Sequence, residues 1–67
     1  MDKKEQKAVL EAVLFTMGEA VEIERLAAVL EISKKETKEL LLEMKADYDK
    51  KDKGITLMEL EDSFQMC

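Results

Sequence analysis

The chain has 67 residues, of which 46% are hydrophobic and 40% charged, with two glycines and no proline. That is enough for one small helical domain and too little for a large substrate cleft, a dinucleotide-binding sheet or a second domain; the scarcity of Gly and Pro excludes a loop-rich β fold, and the aliphatic content excludes disorder. Eleven cations against sixteen acids leave a net charge of −5, the opposite of the surplus with which a free-standing nucleic-acid binder displaces counterions.

The first predicted element is a helix from Glu5 to Met17, closed by Gly18 as its C-terminal cap. At 3.6 residues per turn, Val9, Leu10, Val13, Leu14 and Met17 form one broad apolar face, the core candidate. Ala8, Ala12 and Phe15 form a second apolar strip on the far side. A surface helix of a monomer needs one stripe. Two readings follow: a central helix covered on both sides by its own domain, or a strip at Phe15 that meets another chain.

A second helix is expected from Glu22 to Leu30, with Ile23, Leu26, Ala27 and Leu30 at helical spacing and Glu22 and Glu24 near its positive N-terminal end. Ser33 followed three residues later by Glu36 has the form of a capping box and starts a third helix. The short link makes a helix-turn-helix, with Ile32 as the apolar plug of its corner. The third helix runs from about Lys34 to about Lys50, burying Thr37, Leu40, Leu41, Met44 and Tyr48. Its polar surface is sorted by sign: Lys34, Lys38 and Lys45 line one edge, and Glu36, Glu39, Glu43 and Asp47 the other side. Leu42 and Ala46 leave a small apolar spot between them. In a DNA-binding helix-turn-helix this would be the recognition helix, but it has no Asn or Arg and its acids nearly cancel its lysines. A solvated, salt-bridged helix face is the better reading.

After the polar run from Asp49 to Gly54, residues Ile55 to Glu61 read as a strand with Ile55 and Leu57 pointing inward. Asp62-Ser63 is expected to turn, and Phe64 to Cys67 to begin a returning strand that stops like a cut chain. The fold class is therefore mainly α with a small β-hairpin: a winged helix-turn-helix of three helices plus a wing. From Gly54 to Cys67 the wing holds Glu59, Glu61 and Asp62 but no Lys or Arg, so a phosphate backbone would repel it.

The side-chain inventory bears on chemistry. With no His, no Trp and a single Cys at the last position, Cys–His and Ser–His–Asp nucleophiles and imidazole zinc sites are impossible. Glu39 and Glu43 stand four apart, as a metal-binding or acid/base pair can, but interleaved lysines make them a solvated face. Gly18 and Gly54 stand alone, so there is no phosphate loop. No catalytic, cofactor-binding or metal-binding residue is assigned, and no enzyme is expected. A polar N-terminus without a signal peptide, no run long enough for a membrane span, and one cysteine point to the cytoplasm.

Taken in order, Leu10-Glu11-Ala12-Val13-Leu14-Phe15, Gly18-Glu19-Ala20-Val21, Leu26 to Ser33, Gly54 to Leu60 and Phe64-Gln65-Met66 resemble segregation and condensation protein B (ScpB). Members of that family read "LEALLF", "GEPV" and "GYQL" at these places. Ala20 stands where the family usually has Pro, and Asp62-Ser63 where it has Gly-Gly. Neither change removes a chemical group that function needs. The resemblance implies that residues 1–67 are one winged-helix domain, the N-terminal part of a longer two-domain protein. It implies a non-enzymatic scaffold that forms a homodimer, binds the kleisin ScpA and through it acts with SMC in chromosome condensation and segregation. This domain alone would make no direct contact with nucleic acid or membrane. On that basis Ala8, Ala12 and Phe15 are assigned to self-association, with Leu42 and Ala46 as a weaker candidate for kleisin contact. The alternative is a winged-helix DNA-binding transcription regulator, which shares the fold.

Overall fold

The computed structural model describes residues 2–51 and 54–66. Three helices are followed by a hairpin: α1 is Lys3–Met17, α2 Ile23–Leu30 and α3 Lys34–Lys51, with strands β1 Val21–Glu22, β2 Leu57–Leu60 and β3 Ser63–Met66. This is the winged helix-turn-helix read from the sequence. Cys67, expected at the end of the returning strand, and Asp52 and Lys53 of the polar connection lie outside the described residues.

Local chemistry explains each helix boundary. α1 begins two residues earlier than its apolar period announces, because the Asp2 carboxylate accepts the Glu5 N–H at 2.8 Å and caps the free first turn. It ends at Gly18, whose left-handed φ of 66° lets its N–H reach the Leu14 carbonyl. α2 ends in the same conformation on Glu31, at φ 58°, and the Ile32 N–H returns to the Ala27 carbonyl at 3.1 Å. That return folds half-buried Ile32 onto the core, as a corner plug should. At the start of α3, Ser33 Oγ accepts the Glu36 N–H at 3.1 Å and donates to the Glu36 carboxylate at 3.2 Å. The Thr37 hydroxyl donates to the Ser33 carbonyl at 2.9 Å, which is how a fully buried hydroxyl is satisfied there.

The core is one cluster. Leu10 and Leu14 of α1, Ile23, Leu26 and Leu30 of α2, and Leu40, Leu41, Met44 and Tyr48 of α3 close over Val21, Leu57 and Phe64 of the sheet. Met17 departs from expectation and is 38% exposed. It is the last residue of α1, past the end of the packed face, where Val9 and Val13 only border the core.

The sheet departs from the sequence reading in three ways. Val21, expected in the link after α1, and Glu22, expected to open the second helix, instead form a strand that pairs with β3 (Val21 opposite Phe64), so the order is β1-β3-β2 and β3 is central. The hairpin turns on Glu61–Asp62 rather than Asp62–Ser63: Leu60 pairs with Ser63, and Asp62 takes φ 61°, a conformation Asp tolerates better than most residues. β2 begins only at Leu57, so Leu57 is buried while Ile55, ahead of the strand, is 38% exposed rather than inward.

Phe64 has no exposed surface and stands where all three strands meet the helices. Phe64→Ala is expected to cost about 3–5 kcal/mol. A 67-residue domain has roughly 3–10 kcal/mol in all. Urea unfolding followed by circular dichroism should therefore find the midpoint lowered by a third or more of the domain's stability; an unchanged midpoint would overturn this placement of Phe64.

Candidate interaction surface

α1 lies on the core by a narrow band. Leu10 and Leu14 are fully buried, and the opposite side of the helix carries Ala8, Ala12 and Phe15, all exposed, with Phe15 at 70%. The three residues expected to share a strip therefore do share one. No described element of the chain covers it, which disposes of the reading in which α1 is sheathed on both sides by its own domain.

Around this strip the surface is concave on two flanks. Ala12, Val13, Thr16 and Met17 line a shallow apolar hollow of about 310 Å³. On the other flank a cavity of about 160 Å³ opens beside Phe15, lined also by Glu11, Tyr48, Ile55 and Met66. Its charged wall is quiet, because Glu11 accepts a hydrogen bond from the Tyr48 hydroxyl. Burial first, and then the neighbouring Glu11 carboxylate, push the Tyr48 phenol well above its ordinary range, so it stays protonated and donates. Sequence reasoning missed Ile55 and Met66 as surface groups here. The wing carries them to the flank of α1 from 40 residues or more away, and no local pattern signals that.

Ion pairs flank the seat of α1 at its N-terminal half. Lys3 Nζ and Lys7 Nζ reach the Glu43 carboxylate on α3 at 2.7 and 3.2 Å, and Lys7 also approaches Asp47 at 4.0 Å. The acidic side of α3 thus serves partly as the dock for α1. Hydrogen bonds from Lys3, then from Lys7, hold the Glu43 carboxyl below its ordinary value, against a smaller opposing effect of burial. Glu39, four residues away, is exposed, as expected of a solvated face. Among the described residues no cluster of three His, Cys, Asp or Glu could hold a metal ion.

On the opposite edge of α3, Lys38 Nζ lies 3.9 Å from Glu59 of the wing and Lys45 Nζ 3.6 Å from Asp49 one turn on. Two of the three lysines that a recognition helix would offer to phosphates are thereby committed to acids. Leu42 is 40% exposed on this helix, and Ala46, one turn further on, is exposed as well, so the small apolar spot is real. It is separate from the α1 strip: none of the hollows around α1 is lined by either residue. Among the described residues no helix is long and apolar enough to cross a membrane.

Comparison with known proteins gives this surface its context. Residues 8–67 match the family model of the segregation and condensation complex subunit ScpB. The chain is 43% identical over 67 residues to segregation and condensation protein B of Lachnoclostridium phytofermentans, covering 100% of this chain and 35% of that protein. It is 45% identical over 62 residues to the protein of that name in Agathobacter rectalis, covering 91% of this chain and 33% of the relative. The chain thus spans about a third of the length of the curated relatives it matches. Among solved structures, it is similar to a dimer of the ScpB N-terminal domain complexed with ScpA peptide, with a TM-score of 0.88 and 37% identity over 96% of this chain and 80% of that one. It is also similar to ScpB from Mycobacterium tuberculosis, with a TM-score of 0.93 and 30% identity over 100% of this chain and 42% of that one.

Because the Glu43 carboxyl is depressed in the folded state, its pairing stabilises fully above the unfolded value near 4.5 and is lost as pH falls through the folded value. Glu43→Gln should remove part of the loss of stability on acidification. Urea midpoints measured on both sides of that range, for the parent and the variant, check it.

Proposed function

Because this chain belongs to the ScpB family of segregation and condensation complex subunits, we propose that it is the N-terminal winged-helix domain of a two-domain, non-catalytic scaffold. In this reading it works in the cytoplasm at the nucleoid, forms a homodimer, and binds a kleisin of the ScpA type that joins it to SMC. The observation that carries the proposal is the apolar strip of α1, with Phe15 70% exposed and flanked by Ala8 and Ala12. A similar domain is known as a dimer holding an ScpA peptide, and a helix with a second, uncovered apolar face offers a surface for such a contact.

The mechanism is adhesion without bond chemistry. Leu10 and Leu14 hold α1 to its own core, while Ala8 and Ala12 leave the helix backbone approachable and Phe15 supplies the anchor. Leu42 and Ala46 on the separate α3 spot are assigned to kleisin contact, so that dimerisation and kleisin capture use different faces. The runner-up, a DNA-binding regulator, has the fold in its favour, but fold does not carry function. The pairing of Lys38 with Glu59 and of Lys45 with Asp49, together with a wing without cations in its described residues, opposes it.

Light scattering across a concentration series should find a dimer that Phe15→Asp converts to a monomer without loss of helical content; an unchanged dimer would reject the α1 assignment. Leu42→Asp should leave the dimer intact while weakening binding to a full-length ScpA-type kleisin by roughly tenfold, the scale of one lost apolar anchor. Electrophoretic mobility shift with a random-sequence duplex should show no complex at low salt. A complex that forms there and dissolves with added salt would restore the regulator reading.

A further inference from the structure

We propose that the cavity beside Phe15, lined by Glu11, Tyr48, Ile55 and Met66, is the socket that receives Phe15 of a second copy of this chain. The proposal rests on the self-association reading above and names the geometry by which it is achieved.

Symmetry supplies the first argument. A two-fold dimer meets through the same patch on both protomers, so that patch must contain both the projecting group and the hollow it fills. Phe15 is the most exposed of the large apolar side chains here, and it stands on the rim of the cavity. Knob and socket are therefore adjacent on one face, and a two-fold rotation that seats one Phe15 seats the other.

Size and chemistry supply the second. The cavity holds about 160 Å³; a dry apolar cavity of about 150 Å³ takes a benzene ring. Ile55 and Met66 are apolar walls, and a thioether against an aromatic ring is a favourable contact. The Tyr48 ring is buried behind them. Glu11, the one charged wall, is already engaged by the Tyr48 hydroxyl, so seating a ring leaves no carboxylate stripped of its hydrogen bond. Ile55 also gains a purpose. A branched aliphatic residue 38% exposed ahead of the strand has no role within the protomer's core, yet it forms a wall of this hollow.

The test separates this geometry from the self-association reading. Two variants, Phe15→Cys with Cys67→Ser and Ile55→Cys with Cys67→Ser, are purified, mixed and treated with a short bismaleimide; the products are mapped by mass spectrometry. In a mixed dimer one socket keeps its native ring, while the other brings the thiol introduced on α1 of one protomer against the thiol introduced ahead of β2 in its partner. The expected result is a species of twice the protomer mass linked between positions 15 and 55, formed in the mixture and not by either variant alone. In parallel, Ile55→Trp fills the socket without touching the strip and should weaken dimerisation by roughly tenfold or more, as an anchor denied its pocket does. A dimer that links only position 15 to position 15, with Ile55→Trp still dimeric, overturns the socket and leaves the α1 strip as the interface. Linkage of the Ile55→Cys thiol only to an added ScpA-type peptide also overturns it, since the hollow would then hold the kleisin. If the unaltered chain shows no dimer at any concentration, the self-association reading itself fails, and the socket with it.

Discussion

The pairing of β3 with two strands at once is the constraint on which the rest of the domain depends. β1 is only two residues long, yet Val21 opposite Phe64 ties the turn after α1 to the end of the described chain. The Ile23 N–H, the first of α2, donates to the carbonyl of Asp62 in the hairpin turn at 2.9 Å. A helix start normally leaves its first N–H groups unpaired; here one is satisfied by the wing, and α2 has no side-chain cap of its own. The helix-turn-helix and the wing are thus one cooperative unit. Phe64 sits at the junction because a strand paired on both edges has one face left for the helices, and a large ring fills that face.

That arrangement explains why α1 can have a naked back. In so small a domain there is core enough for one side of each helix. Leu10 and Leu14, fully buried, contribute about 1.5–3 kcal/mol each and set the rotation of the helix, to which the partly exposed pairs of Lys3 and Lys7 with Glu43 add little. With its orientation set from the core side, the outer strip need not contribute to folding and is available to a partner. The seat and the exposed apolar strip belong to the same helix, and only the seat has to be present for the chain to fold.

Much of this was legible in the sequence. Helical period exposed the buried sides of α2 and α3 to the residue, and Ser33 with Glu36 marked where α3 begins. The strip of Ala8, Ala12 and Phe15 could be read because it repeats on a single helix. What escaped detection lacks a local period. A two-residue strand such as Val21–Glu22 has no alternation to detect and exists only because β3 lies beside it. The turn at Glu61–Asp62 rather than Asp62–Ser63 was decided by pairing register, with Asp62 accepting a positive φ. Met17 kept the right helical phase and still fell outside the core, since phase says which way a side chain points and not how far the packed face extends. The cavity beside Phe15 is assembled from α1, α3, the segment before β2, and β3, so it becomes visible only once the chain is folded.

Charge limits which surfaces of such a chain a second acidic chain could approach. Each protomer carries a net −5, and like charges brought within a Debye length of about 8–10 Å repel appreciably. Contact is therefore favoured where acids are fewest or already compensated. The wing tip, with Glu59, Glu61 and Asp62, is a poor place, and the exposed surface of α3 carries an acidic side and a basic edge. On the α1 strip Ala8, Ala12 and Phe15 are uncharged, and Glu11 at its border is held by the Tyr48 hydroxyl. The same distribution bears on nucleic acid. Lys38 and Lys45 sit where a recognition helix would offer cations, but Glu59 and Asp49 lie beside them, and a duplex approaching that edge would have to displace those acids before gaining any phosphate contact. In a fold widely used to grip nucleic acid, a few carboxylates placed beside these lysines oppose phosphate contact, while the back of α1 is the stretch of helix with the fewest charges to desolvate.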